Sequence, residues 1–157
     1  MSPHSIPRPL REGLGEGLMI AYFSQNIPLP ALNQPQTTAW LREVAQSYGK
    51  RIGAVNYIFV DDEEILRINR EYIGHDYYTD HIGFDYSAHD ILSGDIYISL
   101  DTVRSNAVLF GKTFDDELHR VIAHGLLHLC GLKDKTPEER AEMESAEDKA
   151  LAMLCNK

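Results

Sequence analysis

Apolar residues along this chain fall into alternating stretches of strand-like and helical spacing, and the order of those stretches sets the expected fold. Residues 1–18 (MSPHSIPRPLREGLGEGL) hold three prolines and three glycines and no apolar period, so a disordered N-terminal extension is expected there. From Met19, MIAYF reads as a first strand. In residues 37–48, Trp40, Leu41, Val44 and Ala45 stand at helical spacing, and Gly49 closes the helix. Residues 52–60 alternate and are β-branched, a strand. Asp61 or Asp62 then caps a helix that carries Ile65, Leu66 and Ile68, runs on to Tyr72 and stops at Gly74. Residues 81–86 and 95–99 predict two more strands, joined by a polar stretch that is either a hairpin connection or an exposed loop. Residues 101–110 and 114–130 predict helices. Pro137 suits the first turn of a last helix, in which Met143, Ala146, Ala150 and Leu154 form a core stripe. The acids of that helix, Glu138, Glu139, Glu142, Glu144, Glu147 and Asp148, read as a solvated face. The order β-α-β-α-β-β-α-α-α predicts an α+β domain with one mixed sheet of about four strands covered by helices.

Composition narrows the class. A chain of 157 residues that is 43% hydrophobic makes one domain and buries a core without disulfide support. Of the two cysteines, Cys130 reads as a small buried hydrophobe and Cys155 carries no signal, so no disulfide framework is implied. Without a long apolar run or a basic segment leading into one, a soluble cytoplasmic protein is expected. The formal charge of −9 opposes long-range attraction to nucleic acid. Binding to a polyanion therefore requires local clustering of Arg67, Arg70, Arg104, Lys112, Arg120, Lys133, Lys135 and Arg140.

Chemistry concentrates in His124-Gly-Leu-Leu-His128-Leu-Cys-Gly131-Leu-Lys-Asp134. Histidines four apart on a helix point from one face, so their nitrogens can converge on one ion. An otherwise apolar helix (Val121, Ile122, Ala123, Leu126, Leu127, Leu129) is buried, and two imidazoles in it need dedicated partners, which metal ligation supplies at once. Gly131 can take the left-handed conformation that ends a helix and turns Asp134 back toward the same ion. Two nitrogens and one carboxylate leave the fourth tetrahedral position of Zn²⁺ open, as in catalytic sites. One zinc per chain, at the end of a central buried helix and held by His124, His128 and Asp134, is the expected cofactor. Were Asp134 merely exposed and paired with Lys133 or Lys135, Asp80 or a loop histidine would be next in line. The other histidines, His75, His81, His89 and His119, lack ligand spacing and read as core or surface residues. Gly125 stands where zinc peptidases carry a glutamate base, and a mid-helix glycine suggests close approach of another backbone or of substrate.

These residues resemble the YbeY-type endoribonucleases of bacteria, whose pattern is His-Gly-x-Leu-His-Leu-x-Gly-Tyr-Asp-His. The likeness extends to residues 66–84 (LRINREYIGHDYYTDHIGF), similar to the family's Leu-Asn-x-x-Tyr-Arg-x-Lys-Asp-x-Pro-Thr-Asp-Val-Leu-Ser-Phe, and to residues 94–103 (GDIYISLDTV). The resemblance implies a zinc-dependent endoribonuclease that cuts single-stranded RNA, acts in maturation of the 16S ribosomal RNA 3′ end and in ribosome quality control, and meets the ribosome or its associated proteins. Three departures stand out. Asp134 replaces the family's third histidine, a permissible exchange of oxygen for nitrogen. Ile73 replaces an arginine that the family turns to substrate, leaving Arg70, one helical turn earlier, as the candidate substrate contact. Tyr78 and Gly83 replace Pro and Ser, changes of loop shape.

Two other classes stay open. A peptidase with the same ligand geometry is disfavoured by Gly125. A ribosome assembly factor that binds metal and RNA with little catalysis is favoured by Ile73 and the acidic charge. Residues 19–157 are expected to form the nuclease domain by themselves. Deleting residues 1–18 should therefore leave the melting temperature unchanged in a calorimetric scan, and an appreciable drop would show that the extension packs.

Overall fold

The first strand pairs with its parallel neighbour, and the two later strands form a hairpin whose second strand inserts next to that neighbour and leaves the first on the far edge. The computed structural model describes residues 19–74 and 79–155. Strands β1 (Met19–Ser24), β2 (Arg51–Val60), β3 (His81–Asp85) and β4 (Ile91–Ser99) lie in the order β1-β2-β4-β3. The β1–β2 and β2–β4 pairs are parallel, while β3 runs antiparallel on the edge of β4. Five helices accompany them: α1 (Gln34–Ser47), α2 (Asp62–Ile68), α3 (Leu100–Phe110), α4 (Phe114–Leu129) and α5 (Pro137–Cys155). This is the single-domain α+β architecture that the apolar pattern predicts.

Local chemistry explains where the elements begin. Helix α1 starts at Gln34 rather than at residue 37, because the Asn33 side chain accepts from the Gln36 N–H at 3.1 Å and Pro35 fits the first turn. Asp61 caps α2, accepting from the Glu64 N–H at 2.9 Å. That helix continues through a π-helical turn, Asn69–Ile73, which the sequence pattern did not anticipate, and ends at Gly74 with φ of 83°. Strand β4 starts at Ile91 instead of residue 95. The Ala88–Ile91 bridge closes a hairpin there, and Ser87 Oγ accepts from the Ser93 N–H at 3.1 Å. The polar Ser93-Gly94 pair hides this part of the strand from an apolar count.

Strand β2 is buried on both faces, as expected for a central parallel strand. Tyr57 and Phe59 face the layer of α1, α3, α4 and α5, whereas Ile58 and Val60 join Ile65 and Ile68 of α2 on the other side. Helix α4 is the centre of the thicker layer, and two long side chains fix its surroundings. The Tyr57 hydroxyl donates to the Ile122 carbonyl at 2.9 Å, and the Trp40 indole N–H donates to Ala150 of α5 at 2.7 Å. Among the described residues no helix is long and apolar enough to cross a membrane. The expectation for residues 1–18 lies outside the described residues.

Gly125 has a specific packing reason. A Cβ at this position would stand 2.9 Å from Ile96 Cγ2 of β4, so α4 lies directly on the sheet there. The neighbour of the missing Cβ is thus a core side chain and not another backbone, and Gly125 also lines the cleft beside His128. Overpacking costs about 1–3 kcal/mol and the gain in helix propensity is only about 1 kcal/mol. Gly125→Ala is therefore expected to lower stability in a denaturant melt, and adding Ile96→Ala should recover part of the loss. Equal or greater stability of the single variant would show that the contact yields freely.

Candidate metal centre

Helix α4 brings His124 and His128 to one face, with their Nε2 atoms 2.9 Å apart. The helix then ends in a Schellman arrangement around Gly131, whose φ is +105°. The Gly131 N–H donates to His128 O at 3.0 Å and the Leu132 N–H donates to Leu127 O at 3.1 Å. This turn carries Asp134 back over the helix end. Its Oδ2 lies 3.2 Å from His124 Nε2 and 3.1 Å from His128 Nε2, so the three residues singled out by the motif do come together.

What lies behind the rings decides which atoms face inward. His124 Nδ1 is 2.6 Å from Glu147 Oε2, and His128 Nδ1 is 3.0 Å from the Leu132 carbonyl oxygen. Both partners only accept, so both Nδ1 atoms carry the proton and both Nε2 atoms present lone pairs inward. Together with the Asp134 carboxylate, three acceptors meet within 2.9–3.2 Å. Such a set repels itself unless a cation stands among the donors. The titration of these groups reflects the same need. Burial works against a charged His124, yet the Glu147 carboxylate, aided by Asp80 and Asp134, holds its pKa above the usual imidazole value. His128 is pushed down by burial and by His124. The Asp134 carboxyl is lowered: burial opposes this, but His128 and His124 outweigh it. Without a metal, a proton on His124 is the relief available, and nitrogen and carboxylate donors of this kind fit a metal ion.

Two further residues belong to the centre, and both correct the sequence reading. His81, taken as a core or surface residue, opens the edge strand β3. Its ring centroid lies 4.5 Å from that of His124 and 5.6 Å from that of His128. Potential ligand atoms of His81, His124 and His128 all fall within 4.8 Å of one another, a group that can hold a metal ion. Glu147, assigned to a solvated face, is 8% exposed, supports His124 and accepts from Arg120 at 2.7 Å through its other oxygen. Its position was readable, because Met143, Glu147 and Ala150 share one helical face. No local spacing marks His81, since the antiparallel β3–β4 pairing brings it in.

The remaining candidates are elsewhere. Arg70 is exposed on the π-helical turn and does not line the clefts beside the histidines. The wider turn breaks the stacking of residues three apart, so Arg70 does not simply take over the place of Ile73. His89 is exposed in the β3–β4 turn, and His119 packs at a tilt against Trp40, 5.8 Å between centroids. His75 and Tyr78 lie outside the described residues. Cys130 is half-buried, its thiol raised to about 11 by burial, and packs on the core as expected.

Two clefts meet at Asp134. One, of about 650 Å³, is lined by His124, Phe110, Lys112, Glu117 and Arg140; the other, of about 480 Å³, by Thr79, His81, Gly83, His128 and Lys135. The expected basic cluster is thinner than the sequence list. Arg67 pairs with Glu64 and Glu71, Arg104 with Asp101, and Arg120 with Glu147 and Asp148.

The profile of the Endoribonuclease YbeY family matches residues 24–155. The chain belongs to the YbeY family. A Bacteroides thetaiotaomicron protein named Endoribonuclease YbeY is 57% identical over 136 residues, spanning 87% of this chain and 99% of its own length. A YbeY of Porphyromonas gingivalis is 50% identical over 135 residues, 86% of this chain and 89% of that one. Among solved structures, a Thermotoga maritima protein determined in solution matches with a TM-score of 0.62 and 27% identity, covering 87% of this chain and 89% of that chain. The YbeY resemblance read from the motifs is thereby shown.

Glu147 generates a test within this centre. Glu147→Gln keeps an acceptor for His124 but removes the charge. Loss of such outer hydrogen bonding typically costs 10–100-fold in affinity, so a drop of about 10-fold is expected in a Zn²⁺ or Co²⁺ competition titration. Unchanged affinity would mean that Glu147 serves Arg120 and not the metal.

Proposed function

We propose that the protein is a zinc-dependent endoribonuclease that hydrolyses phosphodiesters of single-stranded RNA, with one zinc per chain held by His124, His128 and Asp134. Membership of the endoribonuclease family makes it a hydrolase acting on RNA. The single observation that supports the metal is the convergence of three acceptors whose outward atoms are pinned by Glu147 and the Leu132 carbonyl. A bound zinc supplies Lewis acidity, polarising a phosphoryl oxygen and lowering the pKa of water toward about 7. With no glutamate after His124, Asp134 and the two imidazoles fix the centre but none of them stands in for the peptidase base.

RNA would lie across Asp134, from one cleft into the other. Lys112 and Arg140 on one side and Lys135 on the other offset phosphate charge, and the exposed ring of Phe110 at the mouth of the larger cleft is a surface on which a base can stack. Arg70 is proposed as a more distant substrate contact. Because Glu117, Glu144, Glu147 and Asp148 also line the larger cleft, these cations offset the net charge of −9 only in part, and strong salt dependence of binding is expected. The cellular setting proposed is the cytoplasm, with the nuclease domain in residues 19–157 acting in 16S ribosomal RNA 3′-end maturation and ribosome quality control, together with the ribosome or its associated proteins. The same charge favours one second reading, an assembly factor that binds metal and RNA but cleaves little.

Cleavage of single-stranded RNA and of casein, side by side and with and without chelator, separates these readings. Chelator-sensitive RNA cleavage, lost in His124→Ala, with negligible casein hydrolysis is expected. Casein hydrolysis abolished by His124→Ala would favour a peptidase, and RNA binding without cleavage would favour the assembly factor. Asp134→Ala should weaken zinc binding at least 10-fold to about 100-fold, while Asp134→His should retain it. Unchanged zinc affinity in Asp134→Ala would remove Asp134 from the ligand set.

A further inference from the structure

We infer that His81 is an additional protein ligand of the zinc, its imidazole joining those of His124 and His128. The inference rests on the metal reading above and adds a donor that the helical motif does not contain. Its first support is the arrangement behind the ring. His81 Nδ1 lies 2.8 Å from Asp80 Oδ1. A carboxylate there accepts from Nδ1–H and leaves Nε2 with its lone pair free to bind an ion. Each of the three histidines thus has its Nδ1 held by a separate acceptor: Asp80, Glu147 and the Leu132 carbonyl. Support of this kind is what metal-bound imidazoles receive, whereas a surface histidine has no need of it.

The second support is ring geometry. Two imidazoles bound through Nε2 at about 2.0–2.1 Å and near the tetrahedral angle hold their centroids about 5 Å apart. The three observed separations are 4.5, 4.5 and 5.6 Å. His81 is also 19% exposed and lines the smaller cleft, at the first residue of an edge strand.

The test uses the full chain and zinc or cobalt alone as probe. His81→Val retains the β-propensity of its strand. It should bind zinc 10-fold or more weakly in a competition titration, and the visible bands of its Co²⁺ complex should shift as water replaces an imidazole. X-ray absorption at the zinc edge of the loaded wild-type chain should fit three imidazoles. Should His81→Val fail to fold, Asp80→Asn tests the same support without altering the ligand, and a measurable loss of affinity is expected. Unchanged affinity and cobalt spectrum in His81→Val, or a two-imidazole shell in the wild type, would overturn the inference while leaving the metal reading standing. Full metal retention in His124→Ala would overturn the metal reading itself, and this inference with it.

Discussion

The centre depends on hydrogen bonds that point away from it. An imidazole has two nitrogens, and a lone pair can be aimed inward only if the other nitrogen is held as a donor. Glu147 does this for His124 across 23 residues of chain, and Leu132 does it for His128 through the turn at Gly131. Because one partner is on α5 and the other in the loop, the orientation of the site is a property of the assembled fold. Neither helix α4 alone nor the motif it carries would set it.

The rest of the architecture makes that assembly rigid. Helix α4 is enclosed by the sheet on one side and by α1, α3 and α5 around it, so its histidines can shift little without moving the core. Tyr57 ties the central strand to α4, and Trp40 ties α1 to α5, the helix that delivers Glu147. Burial also strengthens the electrostatics. Half-buried charges are screened less than exposed ones, which is why Glu147 prevails over desolvation at His124.

Most of the fold was legible in the sequence because each element carries its own signal. The order of strands and helices, the caps at Asp61 and Pro137, and the helix stop at Gly131 all follow from residue types at local spacing. The same holds for His124, His128 and Asp134, which are close in the chain. What escaped was tertiary. His81 lies 43 residues before His124 and is joined to it through an edge strand, so nothing within one element announces it. Glu147 was hidden for a different reason: five other acids crowd its helix, and their number obscured its place beside Met143 and Ala150. The start of α1 and of β4 escaped because capping side chains and a polar serine-glycine pair determine them, not apolar period.

The contact between Gly125 and Ile96 bears on how such sites diversify. Turning the helix toward the zinc-peptidase pattern needs a glutamate at this position, and any side chain there meets the sheet at its first carbon. Mutational paths to that chemistry are therefore epistatic: β4 must give up bulk at Ile96 before, or together with, the change on α4. A lineage that packs its helix this closely is confined to neighbouring reactions by steric fit in the core, long before selection on substrate applies.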